Sequence, residues 1–355
     1  MKAAVMKEVK QPLVIEEVTL DEPGPGQVLV KTAASGVCHS DLHFIEGLWP
    51  VPLPAVLGHE AAGVVEQVGE GVTYVQPGDH VILLFIPFCG SCENCSTGRP
   101  NLCSQGRKTT AMLKIGDRVV PQFLSMSSFA EYTLVGERGV VKIRKDVPLE
   151  GAALVGCGVM TGVGAAINTA KVRPGTSCAV IGAGGVGLNV IQGCALAGAE
   201  KIIAIDVHPN KLEMAREFGA THFIDASKDD PVAKVRELTG PGAHYAFEVI
   251  GLPAAITQAF DMVRPGGEAV VVGMAPLGSV AEISAPAFLA EKVLKGCVYG
   301  STRPRYDMPR ILDLYAAGKL KLDELVSRTY PLEGINDAFA AMKAGEVARS
   351  VIKFN

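Results

Sequence analysis

Four cysteines, Cys89, Cys92, Cys95 and Cys103, lie within fifteen residues at intervals of 3, 3 and 8. Four thiolates held on one short loop suit a closed tetrahedral zinc site, which has no open position and so supports folding and not chemistry. Gly90 and Gly98 let so short a loop bend around one ion. The competing reading, four unrelated thiols or two disulfides, fits worse, because free cysteines are usually scattered and buried.

A second set is dispersed: Cys38 in GVCHSDLH, His59 in GHE and Cys157 in GCG. Two thiolates and an imidazole would leave a fourth zinc position open for water or substrate, the arrangement that lets a metal act as Lewis acid. Spacing alone does not join them. A hydrogen-bonded core histidine and a small buried thiol account equally well for His59 and Cys157.

The third pattern is Gly182-Ala183-Gly184-Gly185-Val186-Gly187, placed between the strand-like CAVI and the helical VGLNVIQGCALAG. Its glycines permit a tight turn and close backbone approach to a pyrophosphate at a helix N-terminus. Asp206 ends the next apolar run, nineteen residues beyond Gly187. A carboxylate there accepts hydrogen bonds from an adenosine ribose and repels a 2′-phosphate, which predicts NAD over NADP.

Two rhythms of sequence would position these groups. Up to about residue 155, short apolar segments (Leu13–Val18, Val28–Thr32, Gly63–Val68, His80–Phe85) are separated by turn signals such as DEPGPG and QPGD, an all-β pattern. From about residue 175, strand-like runs alternate with helical ones (CAVIG, IIAID, HFID, YAFEVIG and EAVVVG between helices), which implies a parallel sheet with crossover helices. Helices are expected at Asp307–Ala317 and near Ile335–Ala344, with a terminal VIKF strand that could join either domain.

The chain of 355 residues has room for about two domains. Apolar residues make up 48% and charged ones 20%, a compact globular composition. A net charge of −4 without runs of one sign argues against nucleic-acid binding. The longest uninterrupted apolar run, Val81–Phe88, falls short of the roughly 18 residues a membrane span needs. Charges at Lys2, Lys7, Glu8 and Lys10 replace the apolar stretch of a signal peptide, so a cytoplasmic location is expected.

In order along the chain, GVCHSDLH, GHEAAGVVEQVGEGV, GDHV, the cysteine lobe, GCGVMTGVGAA, GAGGVG and ARSVIKF resemble the zinc-dependent alcohol dehydrogenases of the medium-chain dehydrogenase/reductase superfamily. The resemblance implies an α/β protein in which a Rossmann doubly wound parallel-sheet domain, residues 158–298, joins a β-rich GroES-like catalytic domain, residues 1–157 and 299–355, whose zinc lobe spans about 86–105. It implies reversible oxidation of an alcohol to an aldehyde or ketone with NAD in the cleft between domains. Polyols or a formaldehyde–glutathione adduct are alternative substrates. Cys38, His59 and Cys157 would hold a catalytic zinc, and the cysteine lobe a structural one, two ions per chain. Asp41 resembles the carboxylate that orients the ligand histidine, and Glu60 a glutamate near the metal. Ser40 and His43 match a relay that passes the alcohol proton through the nicotinamide ribose hydroxyl to solvent.

For the cofactor, Lys211 resembles a second adenosine-ribose contact, His39 and Arg349 basic groups near the pyrophosphate, and Val186 and Thr161 positions packing on the nicotinamide. Trp49, Phe85 and Met274 match positions lining an apolar substrate pocket. Expected partners are a small alcohol or aldehyde and further copies of the chain, as homodimer or homotetramer, with neither nucleic acid nor membrane. Two features depart from the best-known animal forms. The stretch between Cys103 and FAEYT is shorter, and His39 replaces an arginine found in many relatives, a weaker partner for an anion.

Overall fold

The computed structural model describes residues 1–106 and 112–355, so Arg107–Ala111 of the shortened stretch lie outside the described residues. The chain divides into two compact units, Met1–Gly158 with Arg303–Asn355, and Val159–Thr302.

The spine of the first unit is the strand Gln27–Val37, in a seven-stranded sheet. It pairs antiparallel with Glu60–Val68 on one side, and its far end pairs antiparallel with the C-terminal strand Arg349–Lys353 on the other. Val28, Val30, Ala61, Val65, Val81 and Leu83 point into one core cluster. Fully burying a Val or Leu side chain contributes about 1.5–3 kcal/mol, enough for this core to fix the pairing register. That register sets Gly36 opposite Glu60 and Val37 opposite Ser350. Cys38, His59, Glu60 and Arg349 are thereby gathered at one end of the sheet.

The C-terminal residues, open to either domain by sequence, complete this unit with the helices Pro304–Ala316 and Ile335–Lys343 and the strand above. Tyr299–Thr302, expected with the catalytic domain, instead belong to the second unit. Gly300 packs on Gly164 so closely that a Cβ at Gly164 would lie 2.3 Å from the Gly300 carbonyl oxygen, and Ser301 Oγ lies 2.7 Å from Thr169 Oγ1. Gly158 goes the other way, into the first unit, where a Cβ would lie 2.6 Å from Arg349 Nη2.

The second unit holds a parallel six-stranded sheet. Its strands run, in spatial order, His222–Asp225, Lys201–Asp206, Ser177–Ile181, Ala243–Glu248, Val263–Val271 and Val293–Gly296. In chain order this is 3-2-1-4-5-6, the dinucleotide-binding arrangement with a switch point between the first and fourth strands. Ser177–Ile181 is buried along its whole length, as a central parallel strand covered on both faces must be. The intervening helices Pro209–Glu217, Pro231–Thr239 and Pro253–Met262 each open on a proline, whose missing N–H has no helical partner to lose there.

One element departs from the sequence reading. Leu149–Ala170 forms a helical stretch of 22 residues, long and apolar enough to cross a membrane, yet its most apolar window is 89% buried within the protein. It is a core helix. The count of uninterrupted apolar residues missed it because Gly151, Gly156, Gly158, Gly162 and Gly164 break the run.

Candidate active site and metal centres

Cys38 follows the last residue of the spine strand and immediately precedes the helix His39–Ile45. His59 precedes Glu60–Val68, and Cys157 sits in a widened π-type turn, Val155–Val159, of the long helix. Such turns swing a side chain off the helical register and recur at functional sites. The sulfurs of Cys38 and Cys157, an imidazole nitrogen of His59 and a carboxylate oxygen of Glu60 lie within 4.8 Å of one another, all buried. His59 Nδ1 donates to Asp41 Oδ1 at 2.9 Å, and the Gly58 N–H donates to the same oxygen at 3.2 Å. This bond commits Nδ1 to Asp41 and leaves Nε2 as the nitrogen that would take a ligand once its proton is displaced. Asp41 and Glu60 are fully buried, so neither is an ordinary surface acid.

The electrostatics are those of crowded donors. The Cys157 thiol donates to the Cys38 sulfur, which holds Cys38 well below the usual thiol range and pushes Cys157 well above it. Burial opposes an imidazolium at His59, but the Asp41 and Cys38 charges outweigh it and raise its pKa. Burial drives the Glu60 carboxyl up to about 7 against the pull of Arg349. Among the described residues, both Glu60 oxygens and Asp41 Oδ2 lack a hydrogen-bond partner. Two sulfurs, an imidazole and an unsatisfied carboxylate sharing one buried spot form a donor set that fits a divalent zinc ion.

The cysteine lobe is a second, separate group. The sulfurs of Cys89, Cys92, Cys95 and Cys103 also lie within 4.8 Å of one another. Backbone N–H groups are turned inward: Cys92 N lies 3.2 Å from Cys89 Sγ, and Gly106 N lies 3.1 Å from Cys103 Sγ. The N–H groups of Ser91 and Cys92 pull Cys89 down to about 6, and burial pushes Cys95 up to about 12. A loop that already solvates thiolates with its own amides is preorganised for a cation.

Residues 24–145 match the alcohol dehydrogenase GroES-like domain, and residues 185–317 match the zinc-binding dehydrogenase family. The chain is 43% identical to an NDMA-dependent alcohol dehydrogenase of Amycolatopsis methanolica over 99% of its own length and 98% of the relative's. The chain belongs to the zinc-dependent alcohol dehydrogenases of the medium-chain superfamily. It is also 40% identical to an S-(hydroxymethyl)glutathione dehydrogenase of Paracoccus denitrificans, over 99% of both chains. The benzyl alcohol dehydrogenase of Acinetobacter calcoaceticus superposes with a TM-score of 0.94 at 38% identity, covering 100% of this chain and 99% of the other.

In this dehydrogenase the glycine fingerprint turns from Ser177–Ile181 into the helix Gly185–Leu196. Gly182 takes φ +97°, and a Cβ at Gly187 would lie 1.8 Å from the Gly182 carbonyl oxygen, so neither position admits a side chain. Asp206 is nearly buried; its Oδ2 accepts from Ala183 N at 2.8 Å and its Oδ1 from His208 N at 3.0 Å. The carboxylate therefore braces the glycine loop itself. Lys211 lies in the first turn of the following helix. Thr161 and Val186 are half-buried on two helices that meet at Gly162, where a Cβ would lie 2.5 Å from Val186 O.

Ser40 and half-buried His43 share the helix His39–Ile45, with His39 exposed at its start. Phe85 meets the His59 ring edge-on at 5.6 Å; Trp49, also in the first unit, follows the His43 helix, and Met274 lies in the second unit. Arg349, expected near a pyrophosphate, is only 4% exposed and lies 3.5 Å from Glu60 Oε1, so in this structure its charge faces the ligand cluster. Phe123 was not singled out by sequence, although its ring lies edge-on to both His59 and Phe44. Ile250, an exposed apolar residue two positions past the fourth strand, whose Cγ1 would lie 2.8 Å from a Cβ at Gly182, was also missed. An apolar residue just past a strand that ends at a switch point is the signal that could have found it.

Proposed function

We propose that this enzyme oxidises a primary or secondary alcohol to the aldehyde or ketone, reversibly, with NAD+ as hydride acceptor and two zinc ions per chain. The observation that carries the reading is the buried convergence of Cys38, His59 and Cys157, with Asp41 behind the imidazole. When bound, zinc and nicotinamide supply what side chains lack, a Lewis acid for the substrate oxygen and an acceptor for hydride. Cys38, His59 and Cys157 hold the catalytic ion, and Cys89, Cys92, Cys95 and Cys103 hold the structural one. Asp41 keeps the His59 ring oriented, and Glu60 stands within reach as a further oxygen donor. Ser40 Oγ takes the proton released by the hydroxyl, giving up its own, and His43, whose Nδ1 has no hydrogen-bond partner among the described residues, passes it toward solvent. Phe85 and Trp49 shape an apolar wall for the substrate carbon chain.

Asp206 supports the choice of NAD, because its carboxylate would repel a 2′-phosphate. A four-thiol lobe suits a reducing compartment, and we place the enzyme in the cytoplasm. A homodimer or homotetramer is supported by Phe288, Leu289 and Val293, exposed to 47, 91 and 44% at or beside the sheet-edge strand Val293–Gly296. A second reading, oxidation of the formaldehyde–glutathione adduct, is favoured by the Paracoccus relative. The deciding experiment is steady-state NADH production across short, long, aromatic and terpenoid alcohols, with S-(hydroxymethyl)glutathione in parallel and zinc counted in the same preparation. Activity with none of them, or fewer than two zinc ions per chain, refutes the proposal.

A further inference from the structure

The turn at 122–128 bends without a glycine, since none lies between Gly116 and Gly136. Leu124, Ser125 and Ser127 nevertheless take left-handed backbone, with φ of +45°, +65° and +51°. Residues with side chains seldom hold that conformation, and it persists only where the surroundings over-determine it, a pattern that gathers at functional sites. Here the surroundings do so. Ser127 is 1% exposed, and its Oγ accepts the Phe123 backbone N–H at 2.7 Å. The Phe123 carbonyl in turn accepts from Met126 N and Ser127 N, both at 3.0 Å, and Gln122 Nε2 donates to the Met126 carbonyl at 3.2 Å. Two anchors fix the turn to the site. Ser128 Oγ lies 2.8 Å from Ser35 Oγ on the spine strand, and Ser128 N donates at 3.0 Å to the carbonyl of Gly58, the residue before His59.

What the turn holds in place is one ring against the ligand cluster. Phe123 lies edge-on to His59 at 6.4 Å and to Phe44 at 4.8 Å. Phe85 meets the same imidazole edge-on at 5.6 Å. Phe123 is 7% exposed and Cys157 8%, so the ring is as open as a member of the cluster itself. On the alcohol-oxidation reading, the carbon that bears the reacting oxygen comes to this cluster, and a ring fixed beside His59 borders the space it enters. Aromatic rings favour edge-to-face packing, so such a wall favours a flat aromatic alcohol over a short aliphatic one, and does so best while the ring is held still. A chain reversal that needed only stability could place glycine at the left-handed positions and avoid the strain. The strain is therefore kept where the placement of a side chain matters.

We infer that Ser127 is a positioning residue for substrate selectivity: its hydroxyl holds the turn so that the Phe123 ring stands beside His59 and favours aromatic over short aliphatic alcohols. The inference rests on the alcohol-oxidation reading above. It is tested with benzyl alcohol and ethanol, measuring kcat and KM in wild type, Ser127→Gly, Ser127→Ala, Phe123→Ala and the double variant Phe123→Ala with Ser127→Gly. Backbone hydrogen exchange over residues 122–128 is followed in the same proteins. Ser127→Gly suits left-handed backbone and lacks the hydroxyl, so exchange in that segment should quicken. The benzyl-to-ethanol ratio of kcat/KM should fall about fivefold, most of it through KM for benzyl alcohol. Ser127→Ala also lacks the hydroxyl and should behave alike, which decides the question should the glycine variant not fold. With Phe123 already truncated there is no ring to hold, so adding Ser127→Gly should move the ratio less than about twofold. An unchanged ratio in both Ser127 variants, equal losses for the two alcohols, or a full further loss in the double variant overturns the inference alone. A wild type that oxidises neither alcohol overturns the alcohol reading together with it.

Discussion

Under the two-zinc proposal, removing the carboxylate behind His59 should loosen the ion held by Cys38, His59 and Cys157 and leave that of the cysteine lobe in place. In Asp41→Ala, the His59 Nδ1–H and the Gly58 N–H lose the acceptor they now reach at 2.9 and 3.2 Å, in a pocket where Asp41 is fully buried. Each hydrogen bond to a charged acceptor contributes about 1.5–3 kcal/mol. Part of that loss appears as instability of the fold, and part as freedom of the imidazole to rotate or change tautomer. Losing a partner of this kind typically costs metal affinity about 10–100-fold, or roughly 1.4–2.8 kcal/mol. Asp41→Asn retains an acceptor oxygen without the charge and should fall between wild type and Asp41→Ala. The assay is zinc retained per chain after equilibration with chelators of graded strength, with circular dichroism to confirm the fold. One zinc should leave early in Asp41→Ala, and the zinc of the Cys89–Cys103 lobe should leave as in wild type. If both ions of a folded Asp41→Ala protein leave as they do in wild type, the role given to Asp41 is wrong.

Replacing Asp206 by Gly with Val207→Arg should shift preference toward NADP by at least tenfold, read as the ratio of kcat/KM for the two cofactors; a wild type that uses both equally contradicts the assignment. His43→Gln should slow alcohol oxidation most at low pH and recover partly with added buffer bases, while Ser40→Ala should be slower and recover less; if both match wild type across pH, the proton takes another route. His244 is half-buried, and burial, then the neighbouring Arg264, lower its pKa below 6.5. The unfolded chain then binds the proton more readily, so the stability contribution of His244 is complete above about pH 6.5 and is lost as pH falls through the folded-state value. Tm measured between pH 5 and 7 should therefore fall less steeply in His244→Gln, and parallel curves would refute the linkage.

The parts of this protein legible in its sequence are those whose causes are local. The cysteine lobe gathers residues fourteen apart or fewer, and the Rossmann strands and helices follow from a period that changes every few residues. The long helix Leu149–Ala170 was not legible, because five glycines and several β-branched residues give it poor intrinsic propensity. Its stability comes from neighbours that only small residues allow to approach, as where a Cβ at Gly162 would come within 2.5 Å of Asn189 Cβ. The convergence of Cys38, His59 and Cys157 depends on sheet register and on the π-type turn, and became readable only through a family pattern. The pairing of Glu60 with Arg349 joins strands from opposite ends of the chain, and no local signal announces it.

The bond between Asp206 and the Ala183 amide bears on how cofactor choice can evolve. Under the NAD reading, one carboxylate both discriminates at the ribose and braces the loop that receives the pyrophosphate. A single substitution that opens the ribose site to a 2′-phosphate also unbraces that loop, so its first effect is poorer binding of either dinucleotide. A lineage moving toward NADP must cross that loss or first acquire another anchor for the loop. Engineers choosing a starting library would do well to randomise residues 183 and 208 along with 206 and 207.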